Sequence, residues 1–409
     1  MVADAPLGAR SARVDRFAAR ASDARDAYVD NLKYALMLCV VWNHSMQDFL
    51  RAVDARTLRG WCEDDGVNVM THRHARTVYA LLNVVGMPLF ACASGYLSKS
   101  WLVAARQGDA SAVNVLRRVR TSMSTLLVTY GMWQGLYLVI NYYDVTPVQW
   151  WAPIGVMWYL YALVLWRLSI LVLGGLKDGV IMAMSLFMGL FVGFTETPMT
   201  KNGSSAFDWQ RLFVYSVYFF FGLCVVKPEH IRRLEKTDYG KRAILGSIVL
   251  ISSFCGIYYS LFVYGACFDE FERFVWSINP YDSDTVTEQF TGLALRAVLY
   301  CFTLFACFGL ACVIPSERSF ITALGSRTLY CYLVHVLVIH GSYRLISETW
   351  EAPLSFYLVM FGLLLPLIVG HALMMEPVLV LRPIVEPSFR FMWRDDVAPE
   401  EKPVEYVAP

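Results

Sequence analysis

The chain has 409 residues, of which 57% are hydrophobic and 17% charged, and its formal net charge is +1. That composition excludes an ordinary soluble core and places the chain among membrane proteins. A near-neutral balance, with basic residues in short loops rather than on one long polar face, excludes nucleic acid as a partner.

In chain order, residues 1–27 come first and carry Arg10, Arg13, Arg16, Arg20 and Arg25 among Asp15, Asp23 and Asp26. No apolar run precedes residue 31, so this segment reads as a disordered cytoplasmic arm, and the first helix is expected to direct insertion. Spanning roughly 30 Å of hydrocarbon takes about 20 apolar residues. Runs near that length fall at 32–50, 78–98, 121–141, 154–174, 180–195, 212–227, 243–264, 291–313, 321–345 and 355–376. The expected fold class is therefore all-α, a polytopic membrane bundle of about ten transmembrane helices over residues 28–376. A solvated cytoplasmic tail follows at 377–409, rich in Pro, Asp and Glu.

Cations near helix ends set the orientation. The arm, the loop with Lys99, Arg106, Arg117, Arg118 and Arg120, and the loop with Lys227, Arg232, Arg233, Lys236, Lys241 and Arg242 fall on one side if ten helices alternate. That side is cytoplasmic, with both termini on it. The loop after helix one, with Arg51, Arg56, Arg59, Arg73 and Arg76, runs against this count. Most cysteines fall inside apolar runs as small buried hydrophobes. Only Cys62 and Cys267 lie in expected outer loops, where a disulfide could form. Asn202-Gly203-Ser204 is a glycosylation sequon on the same side.

His44 sits inside the first apolar run, and an ionisable residue at bilayer depth marks a functional site by default. Lys33 lies eleven positions earlier. Eleven helical steps turn about 1100°, three turns plus roughly 20°, so the cation and the imidazole share a face roughly 16 Å apart. The imidazole could serve as a general base, a proton relay or a polar packing residue. Before the third run, Arg117 and Arg120 stand at i and i+3, a spacing that suits capture of a phosphate-bearing cytoplasmic ligand as well as simple anchoring. His335 and Trp158 are candidates for lining a cavity. Ser94 and Gly95 read as a close-packing surface. His340 and His371 have no partner by spacing and read as structural. His72 and His74 have no carboxylate or thiol at ligand spacing, and no metal site is expected.

Arg25 through Lys33, followed by Val40-Val41-Trp42-Asn43-His44, resembles the first helix of the acyltransferase-3 family of integral-membrane O-acyltransferases, whose signature is a basic residue, ten positions and a histidine. Met87-Pro88-Leu89-Phe90 through Ser94-Gly95-Tyr96, the pair Arg117 and Arg120, Met157-Trp158-Tyr159-Leu160, and Ser326 through Tyr332-Leu333-Val334-His335 agree in family order. The resemblance implies transfer of an acyl group, acetyl in the expected case, from cytoplasmic acyl-CoA to a hydroxyl of a carbohydrate or other acceptor across the membrane. His44 would then be catalytic, with Lys33, Arg117 and Arg120 holding the CoA. No bound cofactor is expected, since acyl-CoA is the donor substrate; the partners are acyl-CoA, a hydroxyl-bearing glycan and membrane lipid. Lys33 replaces an Arg common in the family and lacks its planar fork. The rival reading is a proton-coupled or ion transporter with His44, His335 and Arg296 on its path.

Overall fold

The computed structural model describes residues 7–57, 69–106, 122–142, 152–195, 209–263, 274–275, 280–281 and 285–387, with side chains of the first two helices described over 27–53 and from 73 onward and those of the fourth up to 140. Every regular element among these residues is helical. In chain order they are α1 Leu7–Thr57, α2 Val69–Leu97, α3 Lys99–Arg106, α4 Ser124–Tyr142, α5 Met157–Leu173, α6 Asp178–Phe191, α7 Trp209–Phe220, α8 Pro228–Lys236, α9 Tyr239–Phe262 and α10 Val286–Val313. Then come α11 Phe320–Gly325, α12 Thr328–Thr349, α13 Leu354–Val359, α14 Leu365–Ala372 and α15 Arg382–Val385.

Each of the ten apolar runs coincides with a helix, but the count of spans is smaller. By length and composition five helices among the described residues cross a membrane: Arg73–Arg106, Tyr239–Phe262, Val286–Val313, Thr328–Thr349 and Leu354–Ala372. Counting Trp209–Val225 with Pro228–Lys236, bent by 81°, gives six. Met157–Leu173 and Asp178–Phe194 are apolar but shorter. At 1.5 Å per residue such helices reach about 25 Å, less than the hydrocarbon thickness. The expected count of about ten is therefore not confirmed.

The outer helices meet a bilayer's demand for an apolar exterior. Ile244, Ile248 and Ile251 on α9, and Leu295, Val298 and Phe305 on α10, are large apolar side chains left exposed at helical spacing. In water such a surface would drive association; in lipid it is the solvated face. By contrast α1 is largely buried from Ala27 to Val53, packed by α2, α11, α12, α14 and the π-helical turn before α14. Leu36, Met37, Val41, Phe49 and Leu50 on it are fully buried. The helix that carries His44 is thus the axis of the bundle, which is why it tolerates polar residues.

Three polar or small-residue devices fix its neighbours. Asn31 of α1 donates through Nδ2 to the carbonyls of Pro315 and Glu317, each at 2.9 Å, and accepts from Thr322 Oγ1 at 2.7 Å. That one amide ties the turn between α10 and α11 to the start of the buried part of α1. Gly95 and Gly222 bring α2 against the end of α7: a Cβ on Gly95 would lie 1.8 Å from the Phe219 carbonyl oxygen, and one on Gly222 would lie 1.9 Å from that of Cys92. Backbones approach this closely only where side chains are absent. The close-packing role expected of Gly95 follows directly.

The third device is a proline. Within Leu354–Ala372 the turn Met360–Leu364 is π-helical, and the Leu365 N–H returns to Met360 O. The next donor in line is Pro366, which has no N–H. The carbonyl of Phe361 in the π register, and of Gly362 in the α register, therefore lose their helical partner. Side chains of α1 replace it. Ser45 Oγ donates to Phe361 O at 2.6 Å and Trp42 Nε1 donates to Gly362 O at 2.8 Å. Buried backbone carbonyls in a membrane protein must find donors somewhere, and here they find them on either side of His44.

Candidate active site

Contacts between α1 and the α11–α12 segment rise in step: Asn31 meets Thr322, His44 meets His335 and His340, and Asp48 meets His340. The two segments run parallel, and this brings three imidazoles together. The His44 ring centroid lies 5.2 Å from that of His335 and 6.0 Å from that of His340, the latter edge-on at 90°.

The hydrogen bonds of these rings decide which nitrogen holds the proton. His335 is fully buried, and its Nδ1 lies 2.9 Å from the carbonyl oxygen of Cys331, one turn back on α12. A carbonyl only accepts, so Nδ1 carries the hydrogen and Nε2 of the neutral ring carries a lone pair. Among the described residues that Nε2 is buried without a hydrogen-bond partner, and so is Nδ1 of His44. Two unmet ring nitrogens in adjacent imidazoles are uncommon in a protein interior, where an unsatisfied polar group costs about 1–3 kcal/mol. Such groups concentrate where a substrate is handled.

His340 is held differently. Its Nδ1 lies 2.5 Å from Asp48 Oδ2, while Asp48 Oδ1 accepts from Arg51 Nη1 at 2.9 Å. The Asp48 side chain is fully buried, whereas His340 and Arg51 are partly exposed. A buried carboxylate is costly unless paired, and both oxygens here meet a donor. Asp48 and His340 were not singled out by the sequence. For Asp48 a signal existed, since it stands four residues after His44 and hence on the same helix face. His340 has a partner 292 residues distant, beyond the reach of spacing. His371 likewise has a partner, Tyr34, whose hydroxyl lies 2.5 Å from its Nε2. Because His371 Nδ1 is engaged with Leu367 O, Tyr34 is the donor.

The remaining candidates are placed as follows. Lys33 forms an ion pair with Asp30 at 2.6 Å and is partly exposed. It stands three helical turns from His44 on the same face, as the spacing requires. Trp158 is buried in an aromatic cluster, 4.9 Å from Tyr215 and 5.7 Å from Tyr159, with the Arg211 guanidinium 5.3 Å above its ring. Tyr159 lies 6.0 Å from Tyr332 and Tyr332 lies 6.2 Å from His335, so Trp158 reaches the histidines through two intervening rings. The Tyr159 hydroxyl lies 2.6 Å from Ser94 Oγ. Arg296, named for a transport path, donates to Phe274 O at 2.7 Å and stacks at 4.1 Å on that ring. His74 lies beside Phe254 and Tyr258. Arg117, Arg120, Cys62, Cys267 and the Asn202 sequon lie outside the described residues.

A search of protein families finds a match over residues 26–373 to the acyltransferase-3 model, described as an acyltransferase domain. No curated protein and no solved structure matches.

Proposed function

The chain belongs to the acyltransferase-3 family over nearly its whole length, and from that premise we propose that it is a multi-pass membrane O-acyltransferase. It takes an acyl group, acetyl in the simplest case, from acyl-CoA on the cytoplasmic side and passes it to a hydroxyl of a carbohydrate or similar acceptor. The observation that carries this reading is His44, a histidine on the enclosed central helix whose buried Nδ1 has no partner and whose ring lies 5.2 Å from a second imidazole with the same property. An arrangement of this kind is suited to handling the proton of a reacting hydroxyl.

In this reading Lys33, at the amino-terminal end of the buried stretch of α1, together with Arg117 and Arg120, holds the CoA phosphates at the cytoplasmic mouth. The pantetheine arm then reaches about 16 Å along α1 to place the thioester beside His44. His44 manages the proton of the acceptor hydroxyl or carries the acyl group itself. His335, kept with its Nε2 lone pair inward by the Cys331 carbonyl, lines the same space. The amino-terminal arm and the carboxyl-terminal tail both lie in the cytoplasm.

The test is thiol release from acetyl-CoA by the full-length protein in nanodiscs, wild type beside His44→Ala, with and without a crude carbohydrate extract. Release that requires both the extract and His44 supports the reading. No release across several acyl-chain lengths, from protein shown to be folded, refutes it and leaves the histidine-lined transporter.

A further inference from the structure

We propose that Asp48 and His340 form a second acid–base unit of the site, in which His340 takes the proton of the acceptor hydroxyl and Asp48 fixes the ring that takes it. The inference rests on the acyltransferase reading and divides the proton's management within it: His340 takes the proton from the acceptor hydroxyl, and His44 relays it to the leaving thiolate.

The geometry is specific. A carboxylate can only accept, so the 2.5 Å contact assigns the hydrogen of the neutral His340 ring to Nδ1, leaving the lone pair on Nε2. A buried carboxylate on Nδ1–H both orients an imidazole and stabilises the imidazolium that forms when Nε2 is protonated. Arg51 occupies the other carboxylate oxygen and gives Asp48 a counter-charge, so both oxygens of the buried carboxylate are held. Among the described residues no comparable anion touches His335, whose Nδ1 partner is a neutral carbonyl. Of the two rings beside His44, His340 is thus the one built to hold a positive charge.

Position supports the same assignment. Asp48 lies one helical turn beyond His44, away from Lys33, and His340 is partly exposed while His335 is sealed. Along α1 the order is Lys33, His44, then the Asp48–His340 pair. A donor gripped near Lys33 and an acceptor arriving from the opposite end would meet at His44, with His340 on the acceptor's side.

The step balances without a further reagent. The acceptor oxygen attacks the thioester carbonyl carbon as its O–H bond breaks and the proton passes to His340 Nε2. The new C–O bond forms, the C–S bond breaks, and the CoA thiolate leaves with the electron pair. The proton returns through His44 to the thiolate. Hydroxyl and thioester become ester and thiol, and all three side chains are restored.

Acceptors that differ in their need for a base provide the test. A carbohydrate hydroxyl, supplied by the crude extract, needs its proton removed as it attacks, whereas hydroxylamine attacks as a neutral nitrogen nucleophile. Thiol release from acetyl-CoA is measured with each, using full-length protein in nanodiscs and the variants His340→Ala and His340→Gln. The Gln side chain can still donate to Asp48 and so guards against loss through misfolding. Expected with the carbohydrate extract is a fall in kcat of at least about 100-fold in both variants, in the range general-base removal gives, with KM for acetyl-CoA within twofold of wild type. With hydroxylamine the fall shrinks to less than about tenfold. Equal losses with both acceptors, or a rise in KM, overturn the role of His340. Wild-type protein that releases no thiol with either acceptor overturns the acyltransferase reading, and the proposed pair with it.

Discussion

Pro366 and Ser45 offer a stringent test of how the site is held. Ser45 is fully buried beside His44, and its hydroxyl is 2.6 Å from the Phe361 carbonyl, whose helical donor is missing because residue 366 is proline. Ser45→Ala removes the replacement donor and leaves that carbonyl unpaired. Interhelical hydrogen bonds in membranes average about 0.6 kcal/mol and reach about 1.7, while a stranded buried acceptor costs about 1–3 kcal/mol. The full burial of Ser45 argues for the upper part of the first range, so the expected loss is about 1–2 kcal/mol. Pro366→Ala restores an N–H at the required place. In that background Ser45→Ala should cost less than about 0.5 kcal/mol, because the carbonyl has recovered a backbone partner. The assay is a double-mutant cycle on reversible unfolding in mixed detergent micelles, with activity followed in parallel. Coupling of about 1 kcal/mol is expected, within the span seen for residues that share one interaction. Equal costs for Ser45→Ala in the two backgrounds would refute the argument that Pro366 creates the need that Ser45 meets.

Asn31→Ala removes three hydrogen bonds at 2.7–2.9 Å that tie α1 to the α10–α11 turn; a loss of about 2–4 kcal/mol is expected in the same unfolding assay. Gly222→Leu places a side chain where a Cβ alone would sit 1.9 Å from the Cys92 carbonyl, so monodisperse protein should fall sharply on size exclusion while Gly131→Leu, in open space, behaves as wild type. Arg117→Ala or Arg120→Ala should raise KM for acyl-CoA at least about tenfold, with KM for the acceptor unchanged, as expected of groups that grip phosphate. His44→Ala should abolish transfer while the protein stays folded and inserted, checked by its unfolding midpoint beside thiol release.

The helices and their apolar runs, the run that carries His44 included, were legible because they depend on local composition and helical period. Lys33 and His44 share a face for the same reason: both lie on one helix, where spacing alone fixes geometry. Asp48 was equally within reach, four residues further along that helix. His340 was not, because nothing in its own segment distinguishes a histidine packed on a distant carboxylate from one that merely fills space. The number of spans also resisted the sequence. An apolar run does not reveal how long its helix is, and α5 and α6 are shorter than the runs that suggested them.

By itself, then, the sequence determined a helical membrane protein of the acyltransferase-3 pattern with a basic residue and a histidine on one face of its first long helix, since these follow from hydrophobicity, period and motif order. Only the tertiary structure decided that this helix is the enclosed axis of the bundle, that α12 runs parallel to it, and that Asp48, His335 and His340 gather around His44. Those facts depend on pairings between residues some 290 positions apart. Such pairings arise from which helix faces bury against each other and which stranded carbonyls and carboxylates find donors, and no local pattern records them.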